Sequence, residues 1–309
     1  MLLMAWLATL PFRTGIGGRG RMLRCLGAAV AVMLLGCSPT ARAGPRAMDA
    51  SGVAVELPAP ARRVVTLAPH AAELLAAAGA LDALVGVVAH SDFPPAAANL
   101  PRVGDAAAVD LEAVVGLDPD LVVGWHGGNP PGLLERIHGL GIPLYRSGPV
   151  RLEDIAAEIR ALGVLTGHAG TAEAAAAGFL SRLRELRRRY RRSHPVPVFY
   201  QVWDRPLVTV GGRHFITQGL AACGARNVFA ELSAPAPQVA EEEVLLRRPR
   251  WIVAGAPIAL RELWRGRWIE LGLESGHILF VDPDRMHRPV PRMLDELSRL
   301  CPRLGDTGG

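Results

Sequence analysis

Three aromatic side chains sit where a strand could hand them to an opening. Phe93 follows the apolar run Leu84–Ala89 inside the segment HSDFPP, Trp125 closes the run after Leu121, Val122 and Val123, and Trp203 follows Val198–Val202. Asp284 and Arg288 come just after a last apolar run, Ile278–Val281. Broad aromatic faces with a few fixed donors and acceptors suit a cleft that holds a flat ligand with a polar rim. His70, His90 and His126 also follow apolar runs in the first half of the chain. Converging, they would coordinate a metal, either as an exported metalloenzyme or on the face of a metal-centred ligand; apart, they would line a cleft as polar side chains. The other histidines have no spacing that suggests a site. The sequence has no G-x-S-x-G, H-E-x-x-H or P-loop; its glycine-rich run from Gly15 to Gly20 belongs to the export segment, and Gly211-Gly212 is too short to cradle a phosphate. These residues point to binding rather than catalysis.

A scaffold that ends its strands at one opening would bring them together. Short β runs at 63–67, 84–89, 121–123 and 142–145 alternate with helix-forming stretches at 71–80, 111–117, 133–140 and 153–165, the third of the runs preceded by a helix that Asp110 is placed to cap. Such alternation predicts a mostly parallel sheet covered on both faces. Residues 171–192 break the rhythm: they are helix formers throughout apart from Gly178, and as one helix they would span about 33 Å. His194-Pro195-Val196-Pro197 stops that helix. A second series follows, with strands at 198–202, 251–254 and 278–281 and helices at 217–223, 241–246, 260–271 and 293–300. The expected fold is therefore α/β, two Rossmann-like lobes with mostly parallel sheets joined by one long α-helix: first lobe 62–168, helix 169–194, second lobe 195–304, tail 305–309. In open α/β sheets a ligand sits beyond the carboxyl ends of the strands, where the aromatic residues fall.

The start of the chain reads as an export signal. Arg19, Arg21 and Arg24 precede the apolar stretch Leu26–Leu35, with Met22 as an alternative start. Two exits compete. Leu34-Leu35-Gly36-Cys37 resembles a lipobox with Cys37 as the lipidated residue, and Ala41-Arg42-Ala43 suits ordinary signal peptidase. Residues 44–61 read as a tether. The formal charge of +5 belongs to the export segment, which holds arginines 13, 19, 21, 24 and 42 and no acid; beyond it 29 arginines face 29 acidic residues. That balance gives nucleic-acid binding no support. No later stretch has the roughly 20 apolar residues of a membrane helix. Cys25 and Cys37 lie in the signal, leaving Cys223 and Cys301 in an oxidising compartment. They are either bridged, closing a loop of about 78 residues, or two buried thiols.

Several ordered segments carry a resemblance: RVVTLAPHAAELLAAAGA (63–80), HSDFPP (90–95), DLEAVVGLDPDLVVGWHGGN (110–129), LAACGARNVF (220–229), PQVAEEEVL (237–245) and DPDRMHRPVPR (282–292). Over residues 62–304 the chain resembles the class III periplasmic binding proteins, whose lobes are joined by one rigid helix, and within them the members serving vitamin B12 ABC importers. The resemblance implies a periplasmic monomer, free or lipid-anchored, that carries cobalamin or another corrinoid as cargo, holds no cofactor, and delivers to an inner-membrane ABC permease dimer with its ATPase subunits. It places Trp125 against the corrin face and Phe93 where those members have a Tyr. Asp284 and Arg288 match residues that hydrogen-bond the amide-bearing rim, and Cys223 and Cys301 match a disulfide pair. Of two acidic docking positions, Glu242 keeps one; the other is Pro131, with Glu135 one helical turn on. Ala236 stands in place of a Trp and Val202 in place of a Phe, where Trp203 supplies a neighbouring ring. Haem and ferric-chelate binders share the first and third segments and are the rival reading.

Overall fold

The computed structural model describes residues 44–305; the expected signal, with Cys37, lies outside them. The stretch expected as a tether is folded. Strands β1 (Arg46–Met48) and β2 (Ala54–Glu56) form an antiparallel hairpin. Asp49 organises its turn by accepting from the Ser51 amide, the Ser51 hydroxyl and the Val53 amide. Val55 and Leu57 are buried beneath it. Three-residue strands are too short to show a period of two, so only this turn chemistry announces them.

The first lobe holds β3 (Val64–Thr66), β4 (Leu84–Val87), β5 (Leu121–Trp125) and β6 (Leu144–Ser147), side by side in the order β4–β3–β5–β6. The second holds β7 (Val196–Gln201), β8 (Ala225–Asn227), β9 (Trp251–Gly255) and β10 (Ile278–Val281), in the order β8–β7–β9–β10. All pairings within these sheets are parallel. Counted within each lobe, both orders run second, first, third, fourth, so the lobes are topological copies. The order reverses between first and third strands, β3/β5 and β7/β9, which is where such sheets open a crevice. The central strands are unbroken apolar runs because helices cover both faces: all five residues of β9 and the first four of β5 are buried.

First-lobe helices are α1 (Pro69–Ala77), α2 (Leu111–Gly116), α3 (Pro131–Gly139) and α4 (Leu152–Leu165). The connecting helix α5 spans Ala169–Arg189, about 31 Å. It starts at the expected bound of 169, just after the chain reverses at Gly167, whose φ is +80°, and ends at Arg189, short of the expected 194. Ala172, Ala176, Phe179, Leu183 and Leu186 form its buried stripe. The second lobe adds α6 (Phe215–Ala222), α7 (Glu241–Leu246), α8 (Arg261–Glu270), α9 (Pro283–Met286) and α10 (Met293–Arg303). One apolar cluster runs from Leu74 and Ile155 through Phe179 and Leu183 to Leu220 and Leu297, so the two lobes and α5 share a core. Cys223, at the end of α6, is disulfide-bonded to Cys301 of α10 across 78 residues of chain.

Candidate ligand cleft

Trp125 ends β5, at the reversal of the first sheet, and is 37 % exposed. Its loop is built around Asn129, whose Oδ1 accepts from the Trp125 amide (2.6 Å) and whose Nδ2 donates to the carbonyls of Leu67 and Ala106. The indole lies across Gly128, where any Cβ would overlap the ring. The edge of His70 packs against it at 5.3 Å and 75°. Backbone on one side and imidazole on the other therefore set the plane of the indole and leave its remaining surface open.

His70 itself is buried at the start of α1. Its Nε2 lies 3.1 Å from Ser147 Oγ, and Ser147 donates to Glu158, which also accepts from the Gly148 amide. Burial, reinforced by Arg288, pushes the His70 pKa down to about 3, so the ring is neutral. Burial pushes the Glu158 carboxyl up to about 7, against the hydrogen bonds from Ser147 and Gly148. His90 and His126 are exposed. Among the described residues no three His, Cys, Asp or Glu side chains form a metal-holding group, so the three histidines do not converge as a metalloenzyme site would require. Proximity in sequence to strand ends brought them to one lobe, but α1 turns His70 inward.

Phe93 is 39 % exposed, on a loop held by Arg102, which donates to the carbonyls of Val88, Ser91 and Ala98. The guanidinium of Arg292, from the second lobe, lies 4.0 Å over its ring. Arg288 donates to Asp284 (2.7 Å) and also reaches across to Glu73 of α1 (3.1 Å). Arg292 grips the same carboxylate with two bonds of 2.7 Å. Glu73 and Arg292 escaped the sequence reading. Both sit in quoted motifs, yet only the fold shows that their partners come from the opposite lobe. Trp203 is 53 % exposed on the rim of the second lobe, in a turn bridged to Val208.

A repeat links the two lobes outside the cleft. Helices α2 and α7 are six residues long, bury Val114 and Val244, and end at Asp118 and Arg248, both at positive φ (46° and 47°) before a proline and the third strand. Glu112 and Glu242 are the second residues of these helices, and both are exposed. Glu241 pairs with Arg267 and Glu243 with Arg247, while Glu242 has no ion pair among the described residues. Glu135 lies on α3 and pairs with Arg146 at 3.1 Å.

The family model for periplasmic binding proteins matches residues 64–262. This chain belongs to the periplasmic binding protein family. Among the members of that family, the vitamin B12-binding protein of Vibrio cholerae is 36 % identical over 246 residues, 79 % of this chain and 89 % of that one. The solved structure of the periplasmic vitamin B12 binding protein BtuF of Vibrio cholerae has a TM-score of 0.73 and covers 79 % of this chain and 97 % of its own. A periplasmic heme binding protein from Pseudomonas aeruginosa is more distant, with 25 % identity, a TM-score of 0.69, and coverage of 78 % and 91 %. In this periplasmic binding protein the expected fold class and the disulfide are both present.

Proposed function

We propose that this binding protein captures cobalamin or a related corrinoid between its lobes and hands it to an inner-membrane ABC permease, acting as a carrier and not an enzyme. The observation that carries the reading is the 36 % identity to a vitamin B12-binding protein over 89 % of that protein's length. The cleft supports it: Trp125 and Phe93 offer aromatic faces from the first lobe, with Trp203 at the rim of the second. Asp284 and Arg288 offer an acceptor and a donor to an amide-bearing edge. Haem has weaker support, because the buried His70 is already bonded through Nε2 to Ser147 and the haem-binding relative is only 25 % identical. Residues 1–43 would export the chain to the periplasm, with lipidation at Cys37 anchoring it or cleavage after Ala43 freeing it.

Docking on the permease falls to acidic side chains on both lobes. Glu242 serves on the second. On the first we assign Glu112, which the repeat relates to Glu242, in preference to Glu135, whose carboxylate is held by Arg146. Two like carboxylates on two like helices suit a partner with two-fold symmetry.

The deciding experiment uses the chain purified from Gly44 onward, titrated separately with cyanocobalamin and haem. One-to-one binding heat with cyanocobalamin is expected. No heat with cyanocobalamin together with a shifted Soret band for haem would overturn the assignment.

A further inference from the structure

The floor of the cleft carries a charge arrangement that lobe folding alone does not require. The side chain of Glu73 is 2 % exposed, yet both its oxygens are taken by arginines of the opposite lobe, Arg288 and Arg292. Those arginines go on to Asp284 and to the ring of Phe93. Three residues assigned above to the cleft, Phe93, Asp284 and Arg288, are thus tied into one unit whose centre is a buried carboxylate. Glu73 and Asp284 balance the charge of the two guanidinium groups, whose remaining N–H groups suit oxygen acceptors on a ligand rim.

The second lobe contains a control. Helices α1 and α6 both follow the first strand of their lobe and both end at a glycine of positive φ, Gly79 and Gly224. On α6 the residue that crosses to the other lobe is Gln218, which accepts from the Leu152 amide and donates to the Val150 carbonyl. An uncharged amide therefore suffices to tie one lobe to the other at this place in the fold. The charge at Glu73 answers instead to the two guanidinium groups: without it Arg288 would keep Asp284, and Arg292 would have no ion pair among the described residues.

We propose that Glu73 is a positioning residue for ligand capture: from the first lobe it holds Arg288 and Arg292 of the second in one preset fork and so fixes both the donor geometry and the width of the cleft floor. The inference rests on the corrinoid reading for its ligand but not for its mechanics. Preset donors bind better than mobile ones because the cost of ordering them is met before the ligand arrives.

The test compares Glu73→Gln with the parent chain. Cyanocobalamin should bind about 10- to 100-fold more weakly, by analogy with the loss of groups that orient metal ligands, and the change should appear mainly in the dissociation rate. In a chain already carrying Arg288→Gln and Arg292→Gln, the same substitution should cost less than about threefold, since contacting residues are not additive. A residue that only supports the fold would cost the same in both backgrounds, and that result would overturn the proposal. Spin labels on ligand-free protein at Ala107→Cys and Ser233→Cys, both exposed positions, should show a broader distance distribution in Glu73→Gln. An unchanged distribution with unchanged affinity would also overturn it. If the parent itself ignores cyanocobalamin, the corrinoid reading fails, while the label distances still decide whether Glu73 fixes the floor. Should Glu73→Gln not fold, Glu73→Asp keeps the charge one methylene short and permits the same comparisons.

Discussion

Single side chains of the proposed cleft are set by their protein neighbours. Trp125→Ala would remove an aromatic face worth about 0.5–1.5 kcal/mol beyond its buried area, and calorimetry with cyanocobalamin should register at least that loss. Gly128→Ala makes the sharper comparison, because its new Cβ must push the indole aside. Affinity should drop although no contact residue has changed, with Trp fluorescence reporting the altered surroundings; unaltered affinity would mean that the indole plane is unimportant. The chain His70–Ser147–Glu158 makes a pH prediction. Unfolded His70 takes up a proton below about 6.5, whereas the folded ring stays neutral to about 3, so its stabilisation is present above pH 6.5 and is lost on acidification. Glu158 runs the other way: unfolded it ionises above 4.5 and folded it holds its proton to about 7, so its stabilisation is present below pH 4.5 and is lost as pH rises to 7. Between pH 4.5 and 6.5 the two slopes oppose, each about 1.4 kcal/mol per pH unit. Burial also holds His214 and His287 down to about 4, and both add to the acid side. Urea unfolding from pH 6.5 to 4.5 should therefore show Glu158→Gln losing more stability than the parent and His70→Asn losing less. Parallel profiles for all three would refute the assignment.

Among elements, the pairing of α6 with α10 depends on more than apolar contact. The bridge between Cys223 and Cys301 closes a loop of 78 residues, and loop-closure entropy makes such a link worth about 4–5 kcal/mol. Exported protein under alkylation should show no free thiol by intact mass. A double Cys→Ser chain should unfold at markedly lower denaturant, and an unchanged midpoint would show that packing around Leu220 and Leu297 suffices. The connecting helix needs no such link. Its buried stripe from Ala172 to Leu186 inserts into both lobes, and the close approach of α4 to α5 puts Gly163 where a Cβ would overlap Ala172.

At the scale of the whole molecule the two lobes are topological copies, and the proposed docking is where that repetition would have consequences. Rim charges act on encounter more than on the bound state. Glu112→Arg with Glu242→Arg should leave cyanocobalamin affinity in solution unchanged and impair uptake through the transporter, more severely than Glu135→Arg. Normal transport by the double reversal, with the protein folded and loaded, would place docking elsewhere.

Much of this was legible in the chain itself. The alternation of β runs and helix formers determines two α/β lobes, since an apolar strand with no alternating polar face must be covered on both sides. The unbroken stretch of helix formers determines α5, and reading residues 1–43 as an export signal leaves Cys223 and Cys301 as the natural pair. That Trp125, Phe93 and Asp284 lie at or just past strand ends was also legible, and a parallel sheet gathers those ends on one side. Direction and partnership were another matter. Nothing in its immediate sequence distinguishes an inward His70 from an exposed His126; the packing of α1 on the sheet does. Glu73 and Arg292 lie 219 residues apart, and a contact at that separation is written in no local pattern. It exists because helix α5 and the shared core hold the two lobes at one fixed spacing, and only the tertiary structure decides which charges then meet.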